Sequence, residues 1–176
     1  MGAGGLTPAQ RGTATHKFMQ FSDYSAASRD VRTERDRLVS MGFLSELEGE
    51  AVNVRAVERF FASELAQRIF RSETVMREKK FTVFVPVSEF FPELPQELAD
   101  EKTVVQGIAD CAFVEDGELV IVDYKTDSDV TAQELAQRYS AQLRIYRRAL
   151  SECLKMRVKQ TLLYSFSRSE TIEVSE

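Results

Sequence analysis

The chain has 176 residues, of which 43% are hydrophobic and 29% charged, and its formal net charge is −5. This length supports one domain with a sizeable core. No apolar run reaches membrane-spanning length and no apolar stretch of the signal-peptide kind opens the sequence, so we expect a soluble, cytoplasmic protein with no membrane partner.

The first half of the sequence predicts three helices. Thr7 followed by Pro8 is typical of a helix start, and Asn53 is a suitable N-cap for a later one. Gly42 suits the C-terminal end of the helix that lies between them. The three helices are expected over residues 8–21, about 26–41 and about 54–70.

The second half changes to strand patterns. Asp116-Gly117 between two apolar runs is a strong hairpin-turn signal. Thr131 and Glu134 form a capping-box pattern that begins a helix ending near Cys153. Strands are expected over about 75–87, 104–114, 119–124, 158–167 and 171–174. This order favours one α/β domain with a mixed sheet flanked by helices.

Three charged residues interrupt the apolar runs of the hairpin. Asp is disfavoured in strand interiors, yet Asp110 and Asp123 lie among apolar neighbours that indicate buried strands. Side chains two positions apart on a strand share a face, so Asp123 and Lys125 project side by side, and the hairpin can bring Asp110 alongside. Two carboxylates and an ammonium at one point are typical of a divalent-metal site for phosphodiester cleavage. The alternative is a surface hairpin with an ion pair.

Other features leave structural and functional interpretations open. His16 is the only histidine, and a lone histidine is more often a surface or core residue than a ligand. The segment from Arg138 to Lys159 is rich in cations and suits either a phosphate backbone or a solvated helix face. Cys111 and Cys153 are expected to be reduced core residues, because they lie singly in apolar patterns.

The ordered motifs resemble those of a known family, the RecB-type nucleases of the PD-(D/E)XK superfamily. Within it they resemble most closely the C-terminal nuclease domain of AddA-type helicase–nuclease subunits, which implies a restriction-endonuclease-like core. The matching segments are G-T-A-T-H ending at His16, R-E-K-K-F around Glu78, G-I-A-D ending at Asp110, V-D-Y-K-T-D from Val122 to Asp127, and Y-S-A-Q-L-R-I-Y from Tyr139 to Tyr146.

The resemblance implies a role for each of these residues. Mg²⁺, with Mn²⁺ as a substitute, would be held by His16, Asp110, Asp123 and the backbone carbonyl of Tyr124. Lys125 would position the attacking water and stabilise the transition state. Glu78 would be a carboxylate near the metal ligands or the substrate. Gln142 and Tyr146 would contact the DNA backbone or support Lys125.

The resemblance also implies a setting. The substrate would be DNA, preferentially single-stranded, supplied by a helicase motor during double-strand-break repair, and the partner would be an AddB-type protein. Related nucleases with an iron–sulfur cluster need four cysteines, so two cysteines predict no such cluster. Residues 1–176 are expected to form a single, monomeric nuclease domain excised from a larger protein, with residues 1–6 disordered or vector-derived. The alternative is a catalytically silent module that docks DNA or a partner subunit.

Overall fold

The computed structural model describes residues 6–89, 93, 95 and 101–174. Residues 1–5, on which the prediction about the N-terminal end mainly falls, lie outside this part of the chain. The helices are α1 Pro8–Phe21, α2 Tyr24–Arg29, α3 Val31–Ser40, α4 Glu46–Ala51, α5 Val54–Phe61, α6 Glu64–Arg71 and α7 Ala132–Leu154, and a short 3-10 turn covers Val87–Glu89. The strands are β1 Val75–Pro86, β2 Lys102–Glu115, β3 Glu118–Lys125, β4 Val158–Ser165 and β5 Glu170–Glu173.

The strands form one five-stranded mixed sheet in the order β1-β2-β3-β4-β5. Strands β3 and β4 are parallel and are joined through α7, whereas the other neighbouring pairs are antiparallel. Asp116 and Gly117 both have positive φ angles, 53° and 78°, as a tight hairpin turn of the predicted kind requires. The predicted α/β fold class is therefore confirmed.

The capping predictions are confirmed, but two predicted helices are each divided in two. Thr7, Asn53 and Thr131 all cap the helices that follow them. The helix expected over about 26–41 is broken at Asp30, whose carboxylate accepts hydrogen bonds from the Arg32 and Thr33 amides and starts α3. The helix expected over about 54–70 is broken in the same way, because Ser63 caps α6. Helix α4 was not predicted.

The two faces of the sheet are covered by different layers. Helices α1 to α6 pack on one face, where the Phe60 ring lies 4.8 Å from that of Tyr164 and 5.5 Å from that of Tyr124. Helix α7 covers the other face, with Ala149 and Leu150 packed against strand side chains. Each layer therefore brings its own polar residues to the same sheet from opposite sides.

Strands β1 and β2 extend beyond the rest of the sheet as a two-stranded arm. The first part of β2 pairs only with β1, because its pairing with β3 begins at Cys111. Val104 and Ile108, two of the apolar neighbours of Asp110 that were expected to lie in a buried strand, are 52% and 41% exposed on this arm. Their expected burial was wrong because no third strand or helix of the described residues covers that face.

The two cysteines differ in burial. Cys111 is buried, as expected, whereas Cys153 is exposed near the end of α7, so the prediction for Cys153 was wrong. Both are free thiols. None of the helices in the described ranges is both long and apolar enough to cross a membrane.

Candidate active site

The candidate site lies where β2 and β3 separate. Pairing between these strands stops at Cys111 and Val122, and Asp110 is the first residue of β2 outside it. The Asp110 carboxylate continues the ladder, because its Oδ2 accepts a 2.7 Å hydrogen bond from the backbone amide of Tyr124. The splay thus fixes a carboxylate of β2 against the segment of β3 that carries Asp123 and Lys125.

Asp123 and Lys125 lie on the face of β3 that is turned toward α7. Lys125 Nζ is 2.5 Å from Asp123 Oδ2, and the two side chains are 13% and 4% exposed. Beyond this ion pair, Asp123 Oδ2 is buried without a hydrogen-bond partner among the described residues. The predicted side-by-side placement is confirmed, and it leaves a buried carboxylate oxygen with spare capacity to bind a cation.

The electrostatic environment raises the pKa of Asp123 to about 6. Burial is the main cause, and the negative charge of Asp110 adds to it. The charges of Lys125 and His16 act in the opposite direction without cancelling these effects. A carboxyl group whose ionisation is disfavoured by burial and by a neighbouring carboxylate lies in an environment that a divalent cation relieves.

His16 reaches the site from α1, in the opposite helical layer. Its Nδ1 lies 3.3 Å from Asp110 Oδ1. Burial alone would lower the pKa of His16, but the hydrogen bond to Asp110 and the charges of Asp110 and Asp123 outweigh burial and raise it. The histidine is therefore part of the cluster and not an isolated surface residue.

Glu78 lies across from Asp110, between the strand pairs Arg77–Cys111 and Lys79–Ala109. Its φ angle of 49° is unusual for a non-glycine residue inside a strand, and such strain is often found at functional sites. Burial and the Asp110 charge raise the pKa of Glu78. The backbone irregularity thus places a third carboxylate within the electrostatic field of Asp110.

Helix α7 closes the site from the side of Asp123. Gln142 donates a 2.8 Å hydrogen bond to the Tyr146 hydroxyl, and the Tyr146 ring packs edge-on against Phe81. Neither residue hydrogen-bonds Lys125. Instead, Lys125 Nζ lies 3.7 Å from the centre of the Tyr139 ring, a cation–π contact that sequence reasoning did not assign to the site. The spacing of residues 139, 142 and 146 on one helix face was the available signal.

A close approach between α1 and the end of β3 was also missed. A Cβ atom on Gly12 would lie 2.8 Å from Thr126 Oγ1, well inside normal contact distance. Because Thr126 follows Lys125 directly and Gly12 is one turn before His16, this glycine sets the distance between the two halves of the site. Gly12 and Thr126 also line a cavity of about 260 Å³ beside the site, together with Arg11, Thr15, Asn53 and Phe166.

The candidate metal-binding side chains lie close together, but each of them already contacts another group of the protein. Asp123 pairs with Lys125, and Asp110 contacts both His16 and the Tyr124 amide. In the described part of the chain, no three His, Cys, Asp or Glu side chains converge in a geometry that would hold a metal ion. The oxygen and imidazole donors fit a divalent cation chemically, provided that Asp123 turns from the lysine toward the ion.

Comparison with known proteins identifies relatives of this chain. The family model of the PD-(D/E)XK nuclease superfamily matches residues 3–174. Proteins whose names describe them as ATP-dependent helicase/nuclease subunits are 36% identical in Clostridium acetobutylicum, 36% in Oceanobacillus iheyensis and 34% in Clostridium botulinum, each over 96% of this chain. The matched region is only 13–14% of those proteins, so the chain spans about a seventh of their length. The resemblance predicted from the motifs is confirmed.

Proposed function

Because this chain belongs to the PD-(D/E)XK nuclease superfamily, we propose that it is a metal-dependent deoxyribonuclease that hydrolyses phosphodiester bonds. The observation that carries the proposal is the buried pair of Asp123 and Lys125, placed beside Asp110 at the splay of β2 and β3. A structural ion pair does not need a second carboxylate beside it. A divalent-cation site does, and Asp110 is near enough to raise the pKa of Asp123.

His16, Asp110, Asp123 and the carbonyl of Tyr124 are the proposed holders of Mg²⁺ or Mn²⁺. The oxygen-rich donor set with one imidazole suits these ions. When bound, such an ion polarises a phosphoryl oxygen and lowers the pKa of a water molecule. Because burial and Asp110 raise the pKa of Asp123, the positive charge of a bound ion would favour the ionised form of this carboxyl group.

Lys125 is proposed to orient the attacking water and to stabilise charge that develops on the phosphate. In the present arrangement its ammonium is held between the Asp123 carboxylate and the face of the Tyr139 ring. If Asp123 turned toward such an ion, the Tyr139 ring would still restrain the lysine and keep its ammonium at the site. Gln142 and Tyr146, linked by their hydrogen bond, offer polar groups to the DNA backbone from the same helix.

The substrate and partners are proposed by analogy with the relatives. Those proteins are named as helicase/nuclease subunits, so we propose that this chain cleaves single-stranded DNA delivered by a helicase motor during break repair, in the cytoplasm and with an AddB-type partner protein. A motor that feeds the strand supplies a high effective concentration, which compensates for weak binding by an acidic domain.

The test is cleavage of end-labelled single-stranded, linear duplex and closed circular DNA at low salt, with Mg²⁺, Mn²⁺ or EDTA. We expect metal-dependent cutting of the single strand that falls about 10²- to 10³-fold in Lys125→Ala, the scale of losing one preorganised charge-stabilising group. Lys159→Ala, which removes a lysine outside the site, is the matched control. Titration calorimetry with Mn²⁺ covers the remaining case: a folded protein that neither cuts nor binds the ion would support the silent-module alternative.

A further inference from the structure

A strongly basic groove lies on the outer side of α7, away from the candidate site. It encloses about 590 Å³ and is lined by Ser151 and five cationic side chains, those of Arg144, Arg147, Arg148, Lys155 and Arg157. The chain as a whole carries a net charge of −5, so this concentration of cations is a local feature. We call it the basic groove.

The helix itself separates the basic groove from the candidate site. Arg144, Arg148, Ser151 and Lys155 follow one another at helical spacing on a single face. Leu143 and Leu150, on the opposite face, are buried against the sheet, and Tyr146 packs there against Phe81. A helix is about 10 Å across, so the groove and the site are distinct surfaces within reach of one flexible strand.

Three of the cations that line the basic groove are available to an external ligand. Arg144 and Lys155 are exposed and make no ion pair with any residue in the described part of the chain. Arg157 is 3.1 Å from Glu118, but its side chain is 81% exposed, and such surface pairs are weak. Glu152 pairs with Arg148 on the same helix. Arg144, Lys155 and Arg157 therefore remain able to bind an external anion.

Compensation of the helix dipole does not explain the pattern either. A dipole attracts cations only within the last turn of a helix. Arg144 lies almost three turns before the end of α7 at Leu154, and Arg157 lies beyond it. The cations follow a groove that continues past the helix, which is the arrangement expected for an extended anionic ligand.

We propose that the basic groove binds the phosphate backbone of a DNA strand at a second contact outside the cleavage site. From Arg144 to Lys155 the groove runs about 16 Å at the helical rise of about 1.5 Å per residue. That length is enough for a DNA strand to place several successive phosphates along the cations of the groove. The inference deepens the proposed function, because the strand held here is the strand to be cut, but binding at the groove does not require an active site.

The test uses fluorescence anisotropy of a fluorescein-labelled oligothymidylate with the 176-residue chain, in EDTA, over a series of NaCl concentrations. The groove variant is Arg144→Gln/Lys155→Gln/Arg157→Gln. The matched control, Arg29→Gln/Arg32→Gln/Arg71→Gln, makes the same charge change on exposed residues of the other helical layer. Thermal unfolding confirms that both variants are folded, and the single variant Arg144→Gln replaces the triple one if the latter is not.

We expect the groove variant to bind about tenfold to a hundredfold more weakly near 100 mM salt than the control. The slope of log K against log salt should fall by about 2, since each lost phosphate contact on single-stranded DNA removes about 0.7. For Arg144→Gln alone the expected fall is about 0.7. Equal affinities and slopes in the groove variant and the control would overturn the proposal.

Two further measurements separate DNA binding at the basic groove from nuclease activity at the candidate site and from binding of an acidic protein. Cleavage of bis(p-nitrophenyl) phosphate, too small to reach the groove, should be equal in wild type and groove variant while cleavage of a long strand falls. If wild type cuts neither substrate, the proposed nuclease fails, yet the anisotropy result still decides the groove. A groove variant that loses binding to labelled polyglutamate while retaining DNA affinity would overturn the proposal in favour of an acidic protein partner.

Discussion

At the turn end of the β2–β3 hairpin, Glu115 is held by cations, whereas at the open end Asp123 pairs with Lys125 beside a second carboxylate, that of Asp110. Arg68 donates hydrogen bonds of 2.8 Å to each Glu115 oxygen and Lys159 adds a third. These contacts lower the pKa of Glu115 to about 2, while burial and Asp110 raise that of Asp123 to about 6. The same hairpin thus has one end arranged for stability and one end that retains an unfavourable charge, as expected of a functional site.

Replacing the open-end carboxylate should have the largest effect on cleavage and little cost in stability. Asp123→Asn removes a proposed ligand and the partner of Lys125, so we expect cleavage to fall more than about 10³-fold. The free energy of unfolding at pH 7 in EDTA should not fall, since an ionised buried carboxylate is removed. Cleavage kinetics and urea denaturation measure the two quantities. A variant that cuts at the wild-type rate would show that the site is assigned wrongly.

A smaller loss is expected when the two halves of the open end are forced apart. The methyl group of Gly12→Ala collides with Thr126 Oγ1, and misplacement of about 1 Å costs about a hundredfold in rate. Thr126→Ala removes that oxygen, so Gly12→Ala/Thr126→Ala should recover most of the cleavage rate. Steady-state rates of the two single variants and the double variant provide the check. Additive losses would mean that the contact does not position His16.

At the turn end the expected result is the reverse of that at Asp123. Glu115→Gln weakens the contacts with Arg68 and Lys159 and should lower the free energy of unfolding by about 1 kcal/mol, the scale of charged hydrogen bonds near a surface. Cleavage should be unchanged, because the residue is at the far end of the hairpin. Urea denaturation together with the cleavage assay tests both statements, and a loss of activity in the folded variant would contradict the second.

The last expectation concerns pH, because stability should change with pH in opposite directions at the two ends of the hairpin. The usual pKa of 3.8 is raised in Asp123, so the folded chain binds more protons than the unfolded chain between about pH 4 and pH 6. Stability relative to Asp123→Asn should therefore fall as pH rises through this range. For Glu115, whose usual pKa of 4.5 is lowered, stability relative to Glu115→Gln should be lost as pH falls from about 4.5 to about 2.

Difference curves of unfolding free energy against pH, measured in EDTA for wild type and each variant, reveal both slopes. The maximum change for one group is about 1.4 kcal/mol per pH unit. If the difference curves for Asp123→Asn and Glu115→Gln were parallel, the two ends of the hairpin would not differ in the direction of their pKa shifts.

The fold was predictable where a local signal determined the structure. Thr7, Asn53 and Thr131 act through side-chain hydrogen bonds to nearby amides, and such caps can be read from sequence. The breaks at Asp30 and Ser63 escaped detection because apolar periodicity continues across them. Helix α4 has only six residues, too few for a periodic pattern, although its capping box of Ser45 and Glu48 was a usable signal.

The relative positions of some candidate residues were predictable, and their contacts were less so. The neighbouring positions of Asp123 and Lys125 follow from strand alternation, and the role proposed for His16 came only from family motifs. The positive φ of Glu78, the contact of Tyr139 with Lys125 and the close approach at Gly12 depend on tertiary packing. The exposure of Val104 and Ile108 also depends on tertiary structure, since sequence alone does not reveal that β2 extends beyond the part that pairs with β3.

The contact between His16 and Asp110 joins residues 94 positions apart. Asp123, Lys125 and Tyr139, in contrast, belong to one β3–α7–β4 unit whose contacts are nearer in sequence. Because closing a longer loop costs more entropy, the local unit is favoured to form before α1 docks on it. The proposed ligand set is therefore complete only in the fully folded chain, so we expect the proposed cleavage of DNA to begin only when folding ends.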